Sequence, residues 1–201
     1  MLSDFHKEVY VQELWEQCRR AIQAYNSIYE HLRAFENPRN PHRWQVQGEV
    51  FRAIHSFLTH ASNASLLLFP SKHQSKQKHE TKEQYKARTE VKELRGNFLR
   101  DLVGADSADH VLSDRTLRNH LEQFDERIDS WVVASQTHGR VDDFIGPLEA
   151  YDDIDAADQF RHFDPETSCF YFHGETYDLV ALARALNDIG NTASTCLRKR
   201  R

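Results

Sequence analysis

Apolar residues recur at steps of three and four along most of the chain, the spacing that places side chains on one face of an α-helix. The clearest run predicts a helix over residues 4–35, and Pro38 and Pro41 end it because proline donates no backbone hydrogen bond. The apolar positions of this helix are Val11, Leu14, Cys18, Ile22, Tyr25, Tyr29 and Leu32. A second helix is predicted over about 45–69, where small residues at 61–65 favour close approach of another helix.

The same spacing predicts three further helices, and the last two begin at residues suited to capping a helix N-terminus. They cover about 80–102, Ser113 or Asp114 to about Ser135, and Thr176 to about Cys196. The polar segment 71–79 is predicted to be a loop, and the acidic segment 139–158 a linker. After that linker the period changes to two on either side of a turn, which predicts a β-hairpin at about 159–173.

These elements predict an all-α fold, an antiparallel four- to five-helix bundle with one short β-hairpin near the C-terminus. A length of 201 residues suits one domain. We therefore predict a single helical-bundle domain over 1–201, in which the hairpin is inserted before the last helix. Only 7 glycines and 5 prolines are present, which disfavours an all-β fold with many tight turns.

The three cysteines, Cys18, Cys169 and Cys196, lie far apart and form no CxxC pair. They indicate reduced thiols rather than a disulfide framework or a zinc site, and we predict neither a metal nor a cofactor. No apolar run is long enough to cross a bilayer, Leu66–Phe69 is stopped by Pro70, and the N-terminus does not resemble a signal peptide. The sequence thus predicts a cytoplasmic protein without membrane contact.

The charge is unevenly distributed, although the net value is only −5. Between Lys72 and Arg100, nine basic residues accompany four acidic ones, whereas acidic residues dominate from Asp101 to Glu166. The basic segment could bind RNA, or the two halves could pair between subunits. A solvated helix face explains the same pattern without any ligand.

The densest polar cluster on a predicted helix lies within 113–128 and includes Arg115 and His120. Residues five apart do not share a face of an ideal helix. The two side chains therefore converge only if Arg115 stands at the helix start, or if a second subunit contributes a copy of the motif. Imidazole titrates near neutrality and guanidinium binds phosphate through a planar fork, so the pair suits chemistry on a phosphodiester.

The sequence Arg115-Thr-Leu-Arg-Asn-His120 resembles the Arg-x4–6-His signature of HEPN domains, which are small all-helical bundles. The resemblance implies an RNA-binding protein or a metal-independent endoribonuclease of a bacterial defence or toxin–antitoxin type. Its partners would be RNA, a second copy in a homodimer, or a protein such as an antitoxin. His120 would then act on the RNA 2′-hydroxyl or the leaving group and Arg115 on the scissile phosphate, while Arg118 and Asn119 would bind RNA.

A second interpretation needs no RNA. Arg118 and Glu122 are spaced as a surface ion pair on a solvated helix, and His120 then lies at the edge of the core. The protein would be a non-enzymatic helical bundle that binds a protein partner or self-associates.

Overall fold

Most of the chain is helical. The structure, a computed structural model, describes residues 1–71, 75–105, 109–114, 116, 124–135, 141–147, 158–172 and 174–199. The long helices in these ranges are α1 (Asp4–Glu36), α2 (Arg43–Leu68), α3 (Lys82–Val103), α4 (Phe124–Ala134) and α5 (Leu179–Arg198). A short 3₁₀ turn, η1, covers Val111–Ser113. None of the helices in the described ranges is both long enough and apolar enough to cross a membrane.

The core forms where α1 meets α2 on one side and α5 on another. The Tyr25 ring of α1 lies 5.5 Å from the Phe57 ring of α2. A Cβ added at Gly190 of α5 would lie only 3.1 Å from the Cβ of Cys18, so α5 approaches α1 closely at this glycine. Buried residues that join the three helices include Leu14, Ile28, Ile54, Leu58, Ala61, Leu186 and Ala193. The predicted small-residue stretch of α2 is buried as expected.

Helix α3 contacts the rest of the molecule mainly through its C-terminal half. It begins at a capping box formed by Thr81 and Gln84, and its buried positions are Gly96 and Leu99. The sequence pattern predicts Val91 and Leu94 as anchors, but each is 41% exposed, so this prediction is wrong. The buried face of α3 passes instead through Gly96, which lies against Pro70, and through Leu99.

Two arginines of α3 donate hydrogen bonds to the last carbonyls of α2. Arg95 donates to the carbonyls of Leu66 and Leu67, and Arg100 donates to that of Leu68 at 2.5 Å. The last carbonyls of a helix have no partner within it, so these bonds satisfy groups that α2 leaves open. Arg95 and Arg100 of the basic segment therefore serve the fold.

The β-structure is larger than a hairpin. Four strands, β1 (Phe144–Ile145), β2 (His162–Asp164), β3 (Cys169–Phe172) and β4 (Glu175–Asp178), lie in the order β1-β2-β3-β4. The predicted hairpin is present as the antiparallel pair of β2 and β3. β1 adds to it in parallel and β4 in antiparallel orientation, so the sheet is mixed.

The two additional strands lie where the sequence indicates other structures. β1 falls within the predicted acidic linker, and β4 occupies the predicted first residues of the last helix. Tyr177 of β4 is buried opposite Phe170, so packing holds this segment in the sheet. Asp178 rather than Thr176 caps α5, since its carboxylate accepts from the Ala181 backbone N–H at 2.8 Å.

Candidate functional site

The four predicted site residues, Arg115, Arg118, Asn119 and His120, lie outside the described residues. The structure does describe the segments on both sides of them. These flanks determine how the segment is attached to the rest of the molecule.

The upstream flank is fixed to the C-terminal end of α2. Leu112 of η1 is completely buried, and its carbonyl accepts a hydrogen bond from the Ser65 hydroxyl. The His110 Nδ1 accepts from the Leu112 backbone N–H at 3.2 Å, and the His110 ring lies 5.8 Å from the Phe69 ring. Burial lowers the pKa of His110, which favours the neutral imidazole in this position. The chain therefore enters the segment from a fixed point.

A helix start follows directly. The Asp114 carboxylate accepts from the Thr116 backbone N–H at 2.9 Å, and Thr116 is helical. This is the N-cap predicted at Ser113 or Asp114. Arg115 stands between these two residues in the sequence. Arg115 and the residues from 117 to 123 lie outside the described residues, so only the cap itself is described.

The downstream flank is fixed through a buried carboxylate. The Trp131 indole of α4 donates to Asp158 Oδ1 at 2.7 Å, and the Ser135 hydroxyl donates to the same oxygen at 2.6 Å. The Trp131 ring also lies edge-on to Phe160, with the ring centroids 4.9 Å apart. α4 is thus bound to the segment that leads into β2.

Sequence reasoning missed Asp158, which it assigned to a solvated acidic linker. The residue is completely buried. The neighbouring Phe160 and the distant Trp131 were the available signal, because a buried indole N–H needs an acceptor. A contact across 27 residues is not visible in local periodicity. Three other aspartates of the predicted acidic linker, Asp152, Asp153 and Asp155, lie outside the described residues.

The basic segment 72–100 is only partly available to a ligand. Arg88 pairs with Glu80 at 2.7 Å, and Arg95 is half-buried at the end of α2. Burial, together with the nearby Arg88 and Arg95, lowers the pKa of Lys92. Lys82 and Lys86 remain exposed. A large share of the predicted RNA-binding charge is therefore occupied by intramolecular contacts.

Within the described ranges, no group of three or more histidine, cysteine, aspartate or glutamate side chains is placed to hold a metal ion. Comparisons of the chain with protein-family models, with curated proteins and with solved structures find no match. The site must therefore be interpreted from its own residues.

Proposed function

We propose that the chain is a cytoplasmic HEPN-like protein that binds RNA and cleaves it without a metal, within an antiparallel helix bundle. The observation that carries this proposal is the N-cap at Asp114, whose carboxylate accepts from the Thr116 backbone N–H, because Arg115 stands between these two residues in the sequence. Residues five apart, such as Arg115 and His120, can share a face near a helix start, because side chains of the first turn can depart from ideal helical directions.

The chemistry follows from the two side-chain types. His120 accepts the proton of the RNA 2′-hydroxyl, and the resulting oxygen attacks the adjacent phosphorus. The bond to the 5′ oxygen breaks, water supplies a proton to that oxygen, and a 2′,3′-cyclic phosphate remains. Arg115 binds the phosphate and stabilises the negative charge that develops on its oxygens. Arg118 and Asn119 bind the neighbouring RNA backbone.

The two flanks support this proposal because a catalytic segment needs rigid attachment. The buried Leu112 carbonyl holds the upstream side and the buried Asp158 carboxylate holds the downstream side. In each attachment the two bonded residues are distant in the sequence, Ser65 and Leu112 in the first and Trp131 and Asp158 in the second. A solvated surface helix would not require such anchors at both of its ends.

Cleavage of labelled single-stranded RNA in EDTA tests the proposal. The wild type is compared with His120→Ala and Arg115→Ala, and the ends are analysed for 2′,3′-cyclic phosphate. His55→Ala is the matched control, because His55 is an exposed histidine of α2. We expect both motif variants to lose cleavage and the control to retain it, with unchanged circular dichroism. Equal activity, or equal inactivity, of all four proteins would refute the proposal that His120 and Arg115 cleave RNA.

A second candidate is a non-enzymatic protein that binds a second copy or a protein such as an antitoxin. It is favoured by the end of α4, where Val132 and Val133 are 54% and 87% exposed. Adjacent exposed valines are unusual on a free surface. Light scattering should then show a dimer that the double variant Val132→Ser/Val133→Ser dissociates, whereas Val9→Ser on α1 leaves it intact. A monomeric wild type at high concentration would contradict the self-association.

A further inference from the structure

The turn between α1 and α2 presents an exposed tryptophan among arginines. Trp44, in the first turn of α2, is 81% exposed. Tryptophan side chains are mostly buried on average, so one that projects into solvent indicates a binding role. Arg39 and Arg43 stand on either side of it in the sequence, and both are exposed.

The turn is held in one conformation by its asparagines. The Asn37 side-chain oxygen accepts from the Arg39 backbone N–H at 3.1 Å. The Asn40 side chain donates to the Ala34 carbonyl at 2.9 Å and accepts from the His42 backbone N–H at 2.9 Å. These bonds fix the backbone that carries Arg39 and Trp44, so little entropy is lost when a ligand binds there.

Arg43 is positioned by an aromatic ring. Its guanidinium carbon lies 4.4 Å from the ring centroid of Phe35, which is itself buried. A guanidinium that stacks on a ring keeps its N–H groups directed outward. Arg43 is thus oriented without a carboxylate partner.

The local charge is positive and unpaired. In the described part of the chain, no carboxylate lies within ion-pair distance of Arg39 or Arg43, whereas Glu49 of α2 is paired with Arg52 at 2.6 Å. On the adjoining segment 141–147, Asp142 and Asp143 are paired with Arg161 at 2.7 and 2.8 Å. Between residues 31 and 45 the sequence contains three arginines and one acid, Glu36.

We propose that this turn binds single-stranded RNA, with a base stacked on Trp44 and the adjoining phosphates held by Arg39 and Arg43. Every base offers a flat face to an exposed indole, and each neighbouring phosphate offers a charge to an unpaired guanidinium. The inference rests on the RNA-binding part of the proposed function. It assigns to that function a subsite that the motif does not contain.

The subsite lies far from the point at which the chain enters the segment that bears the motif. The 21 residue steps along α2 from Trp44 to Ser65 (65 − 44) span about 31 Å at about 1.5 Å per residue. Ser65 binds Leu112, which precedes Arg115 by three residues. At about 3.4 Å per stacked nucleotide, this distance corresponds to about nine nucleotides. We therefore expect the turn to hold RNA and to take no part in the chemistry.

The test is a binding titration with fluorescein-labelled oligouridylate of about 20 nucleotides, in a His120→Ala background that cannot cut it. We expect Trp44→Ala to weaken binding by about tenfold or more, and Trp44→Phe to retain most of the affinity. Arg39→Ala and Arg43→Ala should each reduce the slope of log K against log salt by about 0.7. Heparin, a polyanion without bases, should bind equally well to wild type and Trp44→Ala.

Two matched variants control for nonspecific effects. Arg52→Ala removes an exposed arginine of the same helix that is already paired with Glu49. Trp15→Phe changes a partly buried tryptophan whose neighbour Arg19 is paired with Glu16. Both should bind RNA as the wild type does.

Unchanged RNA binding by Trp44→Ala would overturn the inference. So would a wild type that binds anionic lipid vesicles or an acidic protein at this turn but no RNA. If Trp44-dependent RNA binding is found and the wild type cuts no RNA, the subsite stands and the nuclease proposal falls.

Discussion

Asp158 binds two donors through one buried oxygen, from Trp131 and from Ser135. Asp158→Ala leaves both donors without this acceptor, and we expect the free energy of unfolding to fall by about 2–3 kcal/mol. Urea denaturation measures the loss. Asp158→Asn retains an acceptor and should lose less, and Asp129→Ala, on the exposed face of α4, should change little. Equal stability of Asp158→Ala and wild type would contradict this account.

Glu80 accepts two bonds from the Arg88 guanidinium, and this contact lowers the pKa of its carboxyl to about 2. The folded-state pKa lies below the ordinary value of 4.5, so the stabilisation is present above that pH and is lost as the pH falls towards 2. Carbon-detected NMR titration should show Glu80 returning towards 4.5 in Arg88→Gln. Lys86→Gln removes a charge of the same helix but no bond to Glu80, and the low value should persist.

Cys18 is 1% exposed, and burial raises the pKa of its thiol to about 12. A buried thiol that remains protonated reacts slowly with disulfide reagents. We expect Cys169 and Cys196, which are partly exposed, to react in the native protein, and Cys18 only after unfolding. Mass spectrometry of a timed labelling reaction would identify the modified residues. Early modification of Cys18 would show that α5 leaves α1 readily.

Alanine substitutions at two helical glycines, Gly96 of α3 and Gly48 of α2, should have opposite effects on stability. A Cβ at Gly96 would lie 2.7 Å from Pro70 Cδ, whereas a Cβ at Gly48 of α2 would meet nothing within 4 Å. Alanine is favoured over glycine in a helix by about 1 kcal/mol. We expect Gly48→Ala to raise the melting temperature and Gly96→Ala to lower it despite its better propensity. A stabilising Gly96→Ala would mean that Pro70 moves away without cost.

At the scale of helices and strands, the periodicity of apolar residues predicts the long helices well. α1 and α2 match their predicted ranges within two residues, because their buried stripes are long and regular. The attachment of α3 was not predictable in this way, since it depends on a glycine contact and on guanidinium groups that bind carbonyls. β1 has only two residues, too few for any period. Of the candidate site, the N-cap at Asp114 agrees with the sequence, and the roles of Arg115 and His120 stay predictions.

At the scale of the whole molecule, the distance of about 31 Å from Trp44 to Ser65, which binds Leu112 just upstream of the motif, sets a length requirement for RNA. If both proposals hold, Trp44→Ala should raise KM for a long RNA by about tenfold and leave kcat unchanged. For an RNA of about six nucleotides, which spans only about 20 Å when stacked, the variant and the wild type should have equal constants. Steady-state cleavage of the two substrates measures this. A fall in kcat would show that Trp44 also affects the chemical step.

The close packing of α5 on α1 also has a consequence for how the chain is made. The first long helix and the last one share a core face, where Gly190 approaches Cys18. About 130 residues separate the ends of α2 and α5 (198 − 68), which a ribosome adds in about 7–26 s at about 5–20 residues per second. During those seconds the nascent chain has one apolar face of α1 uncovered. Chaperones that bind such faces would therefore meet this chain during translation, and would release it when α5 emerges.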